Sequence, residues 1–434
     1  MKTISPIKSY RKPTTSYLFT CLIVFSFIPD IGIKFATFGF TWTVYRITIA
    51  ISICAVLFLR AQINIMKRKM LTKWLLFQFV WVLYGGILLF VGKYTDFHNG
   101  FIEMLSVFNG LIVFYCMSIY LRSEENKEHA IATVFYLLNV FVLIGLIEII
   151  TGKHWITSAY NDTESAIFQY GNVHLATGLM YNMNDFSALI TCMTPVLLSG
   201  KFRRKRIFTL SGVIIINLIN DATMCNMAII VFALFYFMIL RGGKSQRAFV
   251  FRLLFWILTL GAFAFIIYSR DVLTNRTDVI GAIARQISNA QASTGSLYHR
   301  IIMYKDAIGA LLVTGMMGMG PGGFPNYFSM NTSLSGLVNP HAMIIEVLTQ
   351  YGIIIAFWFV WLLYRMYKEA RKGYNCQKDY LKVENLMVIA FVIAYIICSF
   401  APSSFIGYSY QWVLIAIMCS CLDKTNDFGG ILNA

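Results

Sequence analysis

The sequence predicts an all-α polytopic membrane protein with about 12 transmembrane helices, forming a single integral membrane domain over residues 1–434. The chain is 58% hydrophobic and 13% charged, which is far from the composition of a water-soluble domain. Apolar runs that can cross about 30 Å of hydrocarbon recur along the whole length. Basic clusters lie between every second pair of these runs, as the positive-inside rule requires.

The predicted spans follow from the apolar runs and their charged flanks. The first run begins near Tyr17 after a basic stretch and lacks a small-residue cleavage site, so we expect a retained span rather than a cleaved signal peptide. The spans are expected near residues 14–29, 43–59, 74–92, 101–121, 130–150, 186–200, 207–220, 224–240, 253–269, 341–364, 386–402 and 408–422.

The formal net charge of +16 raises the question of a nucleic-acid partner. The basic clusters at 67–69, 201–206, 241–252 and 365–372 are separated by spans and therefore do not form one patch. We interpret them as topology signals and predict no nucleic-acid partner. Both termini are then expected to face the cytoplasm.

Two outward loops are longer than simple connections. The first covers 151–185. The second, 270–340, is the longest hydrophilic stretch and is predicted to hold two short amphipathic helices, over 277–290 and 298–313, followed by the glycine-rich run GMMGMGPGGF. Such helices can lie on the outer surface with their apolar faces buried.

Outward cationic residues are scarce under the positive-inside rule, so those in the second loop need another explanation. A guanidinium forms bidentate hydrogen bonds with phosphate and stays charged at every relevant pH, which suits a lipid-anchored diphosphate. The alternative is an ordinary solvated or headgroup-facing charge. The candidates are Arg276, Arg285, Arg300 and Lys305.

His341 follows Pro340 at the start of a predicted span, where the first amide groups of a helix are unpaired and attract anions. An imidazole there can act as a general base toward a hydroxyl or as a charged donor to phosphate. The alternative is a simple polar contact near the membrane interface. Glu346 is the acidic residue nearest to His341 in the sequence.

The glycine-rich run ends without the GK[ST] of a nucleotide-binding P-loop. It is either a tight turn that directs the chain back toward the membrane or a place where backbone closely approaches a sugar or phosphate. The sequence leaves both open.

A second polar group is expected at the outer face. Asn182, Asn184 and Asp185 open the sixth span, and Asp221 lies in the short turn between the seventh and eighth spans, beside Asn217 and Asn220. Together these residues could line a hydrophilic pocket. Helix capping and interhelical hydrogen bonds are the alternative account.

The order of these features resembles the superfamily of O-antigen ligases and Wzy-type polysaccharide polymerases, which includes teichuronic-acid polymerase-like members. The resemblance covers roughly residues 175–365. It rests on GLMYNMNDFSALI at the start of a span, on HRIIMYKDAIGAL, on GMGPGGF, and on the spacing of His341 and Gly352.

The resemblance implies a membrane glycosyltransferase fold of the C type that uses no cofactor and no metal. It implies a donor glycan on undecaprenyl diphosphate, a glycan acceptor whose hydroxyl attacks the anomeric carbon, and a site in the bacterial cytoplasmic membrane. By this resemblance Arg300 would stabilise the leaving diphosphate, and His341 would orient or deprotonate the acceptor. A flippase and chain-length regulator proteins would be partners, with membrane lipid around the protein.

The sequence departs from the family just after Asp221, where many relatives carry an arginine and this chain reads ATMCNMA. Arg276, Arg285 or Lys305 would have to replace that cation in a diphosphate clamp. Tyr304 stands where leucine is common. The alternatives to a polymerase are a ligase that transfers the glycan to another acceptor, a transporter or flippase for the lipid-linked glycan, and an inactive scaffold.

Overall fold

The computed structural model describes residues 14–28, 35–37, 40–58, 69–155, 174–199, 205–236, 295–331, 342–376, 379–402 and 404–423. Predictions that fall elsewhere lie outside the described residues. These include the ninth span, 253–269, the first amphipathic helix, 277–290, and three of the candidate site residues, Arg276, Arg285 and His341.

The described part of the chain is helical apart from one antiparallel hairpin, β1 (Phe35–Thr37) and β2 (Phe40–Trp42). The helices are α1 (Thr14–Phe27), α2 (Val44–Phe58), α3 (Lys69–Val91), α4 (Phe97–Tyr120), α5 (Glu124–Thr151), α6 (Met183–Met193), α7 (Arg206–Ile219), α8 (Thr223–Phe235), α9 (Gly295–Val313), α10 (Gly323–Asn331), α11 (Met343–Cys376), α12 (Asp379–Cys398) and α13 (Tyr410–Asp423). A 3₁₀ segment, Thr194–Leu198, continues α6.

Five helices, α3, α4, α5, α11 and α12, are long and apolar enough to cross a membrane. Six shorter apolar helices correspond to α1, α2, α6 with its 3₁₀ segment, α7, α8 and α13. The protein is therefore a helical membrane protein, as predicted. The total of about 12 spans stays a prediction, because the shorter helices do not reach spanning length and the ninth predicted span is not described.

Side-chain caps fix several helix starts. Asp96 accepts the amide of Asn99 at the start of α4, and Ser123 accepts the amide of Asn126 at the start of α5. These contacts satisfy amide groups that have no partner within the helix. At the other end of α5, Gly152 adopts a left-handed conformation with φ of 66° and terminates the helix.

Aromatic side chains fill the centre of the bundle. Trp74 and Trp81 of α3 pack edge-on against Trp412 of α13, and Trp81 also contacts Tyr351 of α11 at 5.3 Å between ring centroids. Gly110 of α4 lies directly against Trp412. Since lipid is as apolar as these side chains, close van der Waals contact of this kind holds membrane helices together.

The helix connections divide the bundle into two ends. We call one the polar end; it is formed by the connections 92–96, 220–222 and 314–322, and by the connection between α12 and α13, residues 399–402 and 404–409. At the opposite end Lys127 pairs with Glu384 at 2.8 Å. Asp423 caps the start of α3 there, because its carboxylate accepts the amides of Met70 and Leu71.

Candidate functional site

The connection between α12 and α13 brings together three residues that the sequence predicted for the site. Arg300, Glu346 and Asp185 lie far apart in the chain, and each forms a hydrogen bond with this connection. Ser399 at its start also accepts the amide of Met343, at the beginning of α11. The polar end is thus organised around a segment that was not among the predicted parts of the site.

Arg300 lies in the first two turns of α9 and is partly buried. Its Nη1 donates a hydrogen bond of 2.5 Å to the carbonyl oxygen of Phe400, just beyond the C-terminal end of α12. A cation at a helix C-terminus is favourable, because the last carbonyl groups carry partial negative charge. Among the described residues this bond engages one of the five N–H donors of the guanidinium.

Burial lowers the pKa of Arg300 from its ordinary value, while the nearby Tyr304 opposes the shift. A guanidinium starts so high that it remains protonated despite such a shift. Tyr304 lies one helical turn further along the same face, and burial raises the pKa of its phenol. The pair therefore presents one fixed positive charge and one neutral hydroxyl.

Glu346 lies in the first turn of α11 and is 2% exposed. Its carboxylate accepts hydrogen bonds from the Ser404 hydroxyl at 2.6 Å and from the amide of Phe405 at 3.4 Å. These bonds fasten α11 to the α12–α13 connection. Glu103 of α4 lies at the same end, where it accepts the amide of Gly322 at 3.0 Å, so two acids share the polar end.

Asp185 lies in the first turn of α6, with 3% of its surface exposed. Its Oδ2 accepts a 2.5 Å hydrogen bond from the hydroxyl of Tyr408. A buried carboxylate is costly unless hydrogen bonds compensate it, and Tyr408 supplies one from the α12–α13 connection. Asp185 thus joins α6 to the same segment that holds Arg300.

The glycine-rich run forms the tight turn that was one of the two predicted alternatives. The amides of Met319 and Gly320 donate to the carbonyl oxygens of Thr349 and Gln350, each at 2.9 Å. The amide of Gly322 donates to the side chains of Glu103 at 3.0 Å and Gln350 at 2.5 Å. These amides are engaged inside the protein, so they favour a structural turn over direct contact with a sugar or phosphate.

Gly352 allows the glycine-rich turn to pack against α11. It interrupts α11 with φ of 77° and ψ of 177°, a conformation that glycine tolerates and other residues do not. A Cβ atom there would lie 2.5 Å from the carbonyl oxygen of Met317 and 2.6 Å from that of Met316. The glycine of the His341–Gly352 spacing is therefore a structural residue against which the glycine-rich turn packs.

The asparagines of the predicted hydrophilic pocket are largely engaged in internal hydrogen bonds. Asn182 caps α6, because its side chain accepts the amide of Asn184 at 2.8 Å. Asn220 is fully buried and pairs with both the amide and the carbonyl of Ala176, at 2.9 and 2.8 Å. These contacts fit the alternative account of capping and interhelical bonding, and a role in substrate binding stays a prediction.

The remaining described candidate site residues are less buried. Lys305 is exposed and lies five residues beyond Arg300, which places it about 140° around the helix and away from the Arg300 face. Asp221 is exposed in the α7–α8 turn with φ of 49°. Neither is brought to the α12–α13 connection by a described hydrogen bond.

Several residues of the polar end were not among the predicted site residues. Glu103, which links the glycine-rich turn to α4, also accepts a hydrogen bond of 2.8 Å from the hydroxyl of Tyr351. Ser404 and Tyr408 belong to the stretch SSFIGYSY, whose polar residues and glycine between two apolar runs were the available signal. Only the folded chain shows what they contact.

A second buried polar cluster anchors the ends of the first predicted loop. Glu148 is fully buried and accepts the amides of Thr177 at 2.8 Å and Gly178 at 2.6 Å. Nδ1 of His154 lies 3.0 Å from the Thr177 hydroxyl and 3.6 Å from Glu148. Burial, and secondarily the charge of His174, lowers the pKa of His154, so the imidazole is neutral near pH 7.

Within the described ranges no three His, Cys, Asp or Glu side chains are grouped as metal ligands. The expectation of a metal-free site remains a prediction.

The fold and the polar end define a class: a helical membrane protein with buried acids and a partly buried arginine where the α12–α13 connection packs. No family model matches the chain. Over 368 residues it is 20% identical to a Bacillus subtilis (strain 168) protein named teichuronic acid biosynthesis protein TuaE. The aligned stretch covers 80% of this chain and 71% of that relative. The likeness agrees with the resemblance drawn from the motifs.

Proposed function

We propose that the protein takes part in polysaccharide biosynthesis as a membrane glycosyltransferase. More specifically, it polymerises oligosaccharide repeat units carried on undecaprenyl diphosphate into a capsule, exopolysaccharide or similar cell-surface glycan. The polar end would face the outside of the bacterial cytoplasmic membrane. The distant likeness to a teichuronic acid biosynthesis protein supports the first statement, and the motif resemblance supports the second.

The observation that carries the proposal is the placement of Arg300. Its guanidinium is held by one carbonyl at the polar end of an apolar bundle. Since N–H groups of this fork other than Nη1–H have no hydrogen bond with the described residues, they can bind an anion. A diphosphate on an isoprenoid chain fits this place, since its tail can stay in the bilayer while its charge meets Arg300.

The reaction transfers a glycosyl group. A hydroxyl oxygen of the acceptor forms a bond with the anomeric carbon of the donor, and the bond from that carbon to the diphosphate oxygen breaks. The electron pair of the broken bond goes to the diphosphate, where the positive charge of Arg300 stabilises it. The hydroxyl proton goes to a base, a role that the resemblance gives to His341.

The carboxylates contribute by positioning. Glu346 and Asp185 hold the α12–α13 connection, and that connection presents the Phe400 carbonyl that fixes Arg300. Binding of the diphosphate then needs no rearrangement of the cation, and preorganised charges stabilise a transition state best. Roles for Arg276, Arg285, Lys305, Asn182, Asn184 and Asp221 in holding the glycan or completing the clamp are part of the same proposal.

The acids of the described spans favour an enzyme over a transporter. Glu103 is near the start of α4, Glu148 near the end of α5 and Glu346 near the start of α11, all toward the polar end. A transporter or flippase is expected to carry charged residues deep within several spans and to show repeated halves. In the pathway, a separate flippase would supply the donor, and chain-length regulators would act on the polymer.

The decisive experiment replaces Arg300 by alanine. We expect the protein to insert normally, while the polymer made in cells shortens to single repeat units and release of undecaprenyl diphosphate from purified donor falls at least about a hundredfold, the size of losing one transition-state charge contact. Lys93→Gln is the control, because Lys93 is an exposed cation at the same end. Wild-type polymer length in Arg300→Ala would refute the proposed site.

A further inference from the structure

A second site lies toward the opposite end of the bundle. A groove of about 280 Å³ runs between the 3₁₀ segment, α7, α8 and α12. It is lined by the beginning of α7 and the end of α8, whereas the turn that joins these two helices belongs to the polar end. The groove therefore shares no residue with the candidate glycosyltransferase site.

The walls of the groove are apolar, and small side chains create its space. Ala390 and Ala394 lie one turn apart on α12, opposite Ala228 and Ala233 of α8. An empty apolar groove loses dispersion contacts on its open side. In a bilayer it is filled by hydrocarbon, and an acyl chain is the hydrocarbon that the membrane supplies.

One feature distinguishes this groove from an ordinary lipid-facing surface. Among the described residues that line it, Arg206 is the charged one. Its Nε is buried and has no hydrogen-bond partner among the described residues. A buried donor left without an acceptor costs free energy, and none of the described residues supplies an acceptor to this Nε.

The sequence next to Arg206 is also positive. The residue begins α7, and Lys205 before it provides no side-chain cap, so the first amides of the helix are not capped by that side chain. The sequence KFRRKR places five basic residues at 201–206. None of the described residues that line the groove is acidic. Basic pockets between membrane helices bind anionic lipid headgroups.

We propose that this groove binds an anionic phospholipid of the adjacent leaflet. One acyl chain lies along the alanine-lined walls, and the headgroup phosphate accepts hydrogen bonds from the Arg206 guanidinium. The net negative charge of the headgroup is required, because a zwitterionic lipid would bring a second cation to a site that already has an excess of positive charge.

The test uses the full-length protein in nanodiscs or detergent and measures bound lipid by native mass spectrometry. The probes are phosphatidylglycerol, phosphatidylcholine with the same chains, and undecaprenyl phosphate. We expect wild type to retain phosphatidylglycerol over phosphatidylcholine. Arg206→Gln should weaken that retention about tenfold, the effect of one charge-assisted hydrogen bond. Ala233→Leu, which fills the groove, should weaken retention of the lipid as well.

Lys205→Gln is the matched control, because Lys205 is exposed, adjacent and not part of the lining. It should bind phosphatidylglycerol within about twofold of wild type, as expected for an exposed charge. Equal losses in both variants would show a diffuse surface effect and overturn the proposal. Equal binding of phosphatidylcholine, or preferred binding of undecaprenyl phosphate, would also overturn it. None of these readouts depends on glycan synthesis, so the two proposals can fail separately.

Discussion

Among the described residues, a hydrogen bond with a backbone carbonyl holds Arg300, so substitutions that move this carbonyl should also move the guanidinium. Side-chain changes at Phe400 leave that carbonyl in place, whereas changes that move the α12–α13 connection displace it. Glu346 and Asp185 hold the connection through Ser404 and Tyr408. Replacing Glu346 or Asp185 should therefore shift Arg300 indirectly, through the α12–α13 connection.

The His154 cluster gives a pH-dependent prediction. Because burial holds the pKa of His154 below its ordinary value of 6.5, the folded protein binds this proton less readily than the unfolded chain does. The contribution to stability is thus present above pH 6.5 and is lost as the pH falls through the folded value. Loss of this contribution should lower the thermal stability of wild type relative to a variant without His154 as the pH falls from about 7.5 to about 5.

His154→Gln removes the titrating group at the same buried position, so its thermal midpoint should depend less on pH over that interval. His98→Gln is the control, because His98 is exposed at the start of α4. Both midpoints are measured by fluorescence-detected unfolding in detergent. An unchanged pH dependence in His154→Gln would contradict the assignment.

At the scale of single elements, the interruption of α11 and the glycine-rich turn form one unit. The amide of Ile353, just after the interruption, donates a hydrogen bond to the carbonyl oxygen of Met316 in the turn. In return, two amides of the turn donate to the carbonyl oxygens of Thr349 and Gln350. Tyr84 of α3 adds a hydrogen bond of 2.7 Å to the Met317 carbonyl. The break in the helix therefore leaves few backbone groups unsatisfied, which hydrocarbon surroundings demand.

Gly352→Ala should disrupt the contact between the glycine-rich turn and α11. The new methyl group would meet two carbonyl oxygens, and alanine disfavours φ of 77°. We expect a loss of roughly 2–4 kcal/mol in stability, combining backbone strain with lost docking. Gly86→Ala in α3 is the matched control, because a Cβ there has no atom within 4 Å. It should be neutral or slightly stabilising in the same thermal unfolding assay.

The helices show which part of the fold could be predicted from the sequence. The apolar helices lie close to the predicted spans because the length of an apolar run is a local property. Helix α9, Gly295–Val313, likewise occupies the segment predicted as amphipathic from 298. The short hairpin of β1 and β2 was not predicted, since three-residue strands carry little periodic signal.

The contacts of the candidate site could be predicted from the sequence less well than the helices, for a physical reason. Arg300 and Phe400 are 100 residues apart, and Asp185 and Tyr408 are separated by 223. A motif indicates which residue types are present, but not which distant carbonyl or hydroxyl satisfies them. The glycine-rich run shows the same limit, because only its docking against Gln350 distinguishes a turn from a binding loop.

For the whole molecule, the proposals depend on which end faces outward. Lys93 is exposed at the polar end, and Lys372 is exposed toward the opposite end of α11. In intact cells, a membrane-impermeant maleimide should label Lys93→Cys, whereas Lys372→Cys should react only after permeabilisation. Wild type measures background from the native cysteines. The reverse pattern would contradict the outer-face glycosyltransferase and would move the lipid groove to the other leaflet.

The cap on α3 bears on how the chain is made. Asp423 lies 353 residues after the amide of Met70 that it accepts. During synthesis the third helix enters the bilayer long before its carboxylate partner has left the ribosome. Until α13 is translated, the first amides of α3 therefore lack the carboxylate that caps them in the folded protein. Truncation before Asp423 should leave an incompletely assembled protein exposed to membrane proteases.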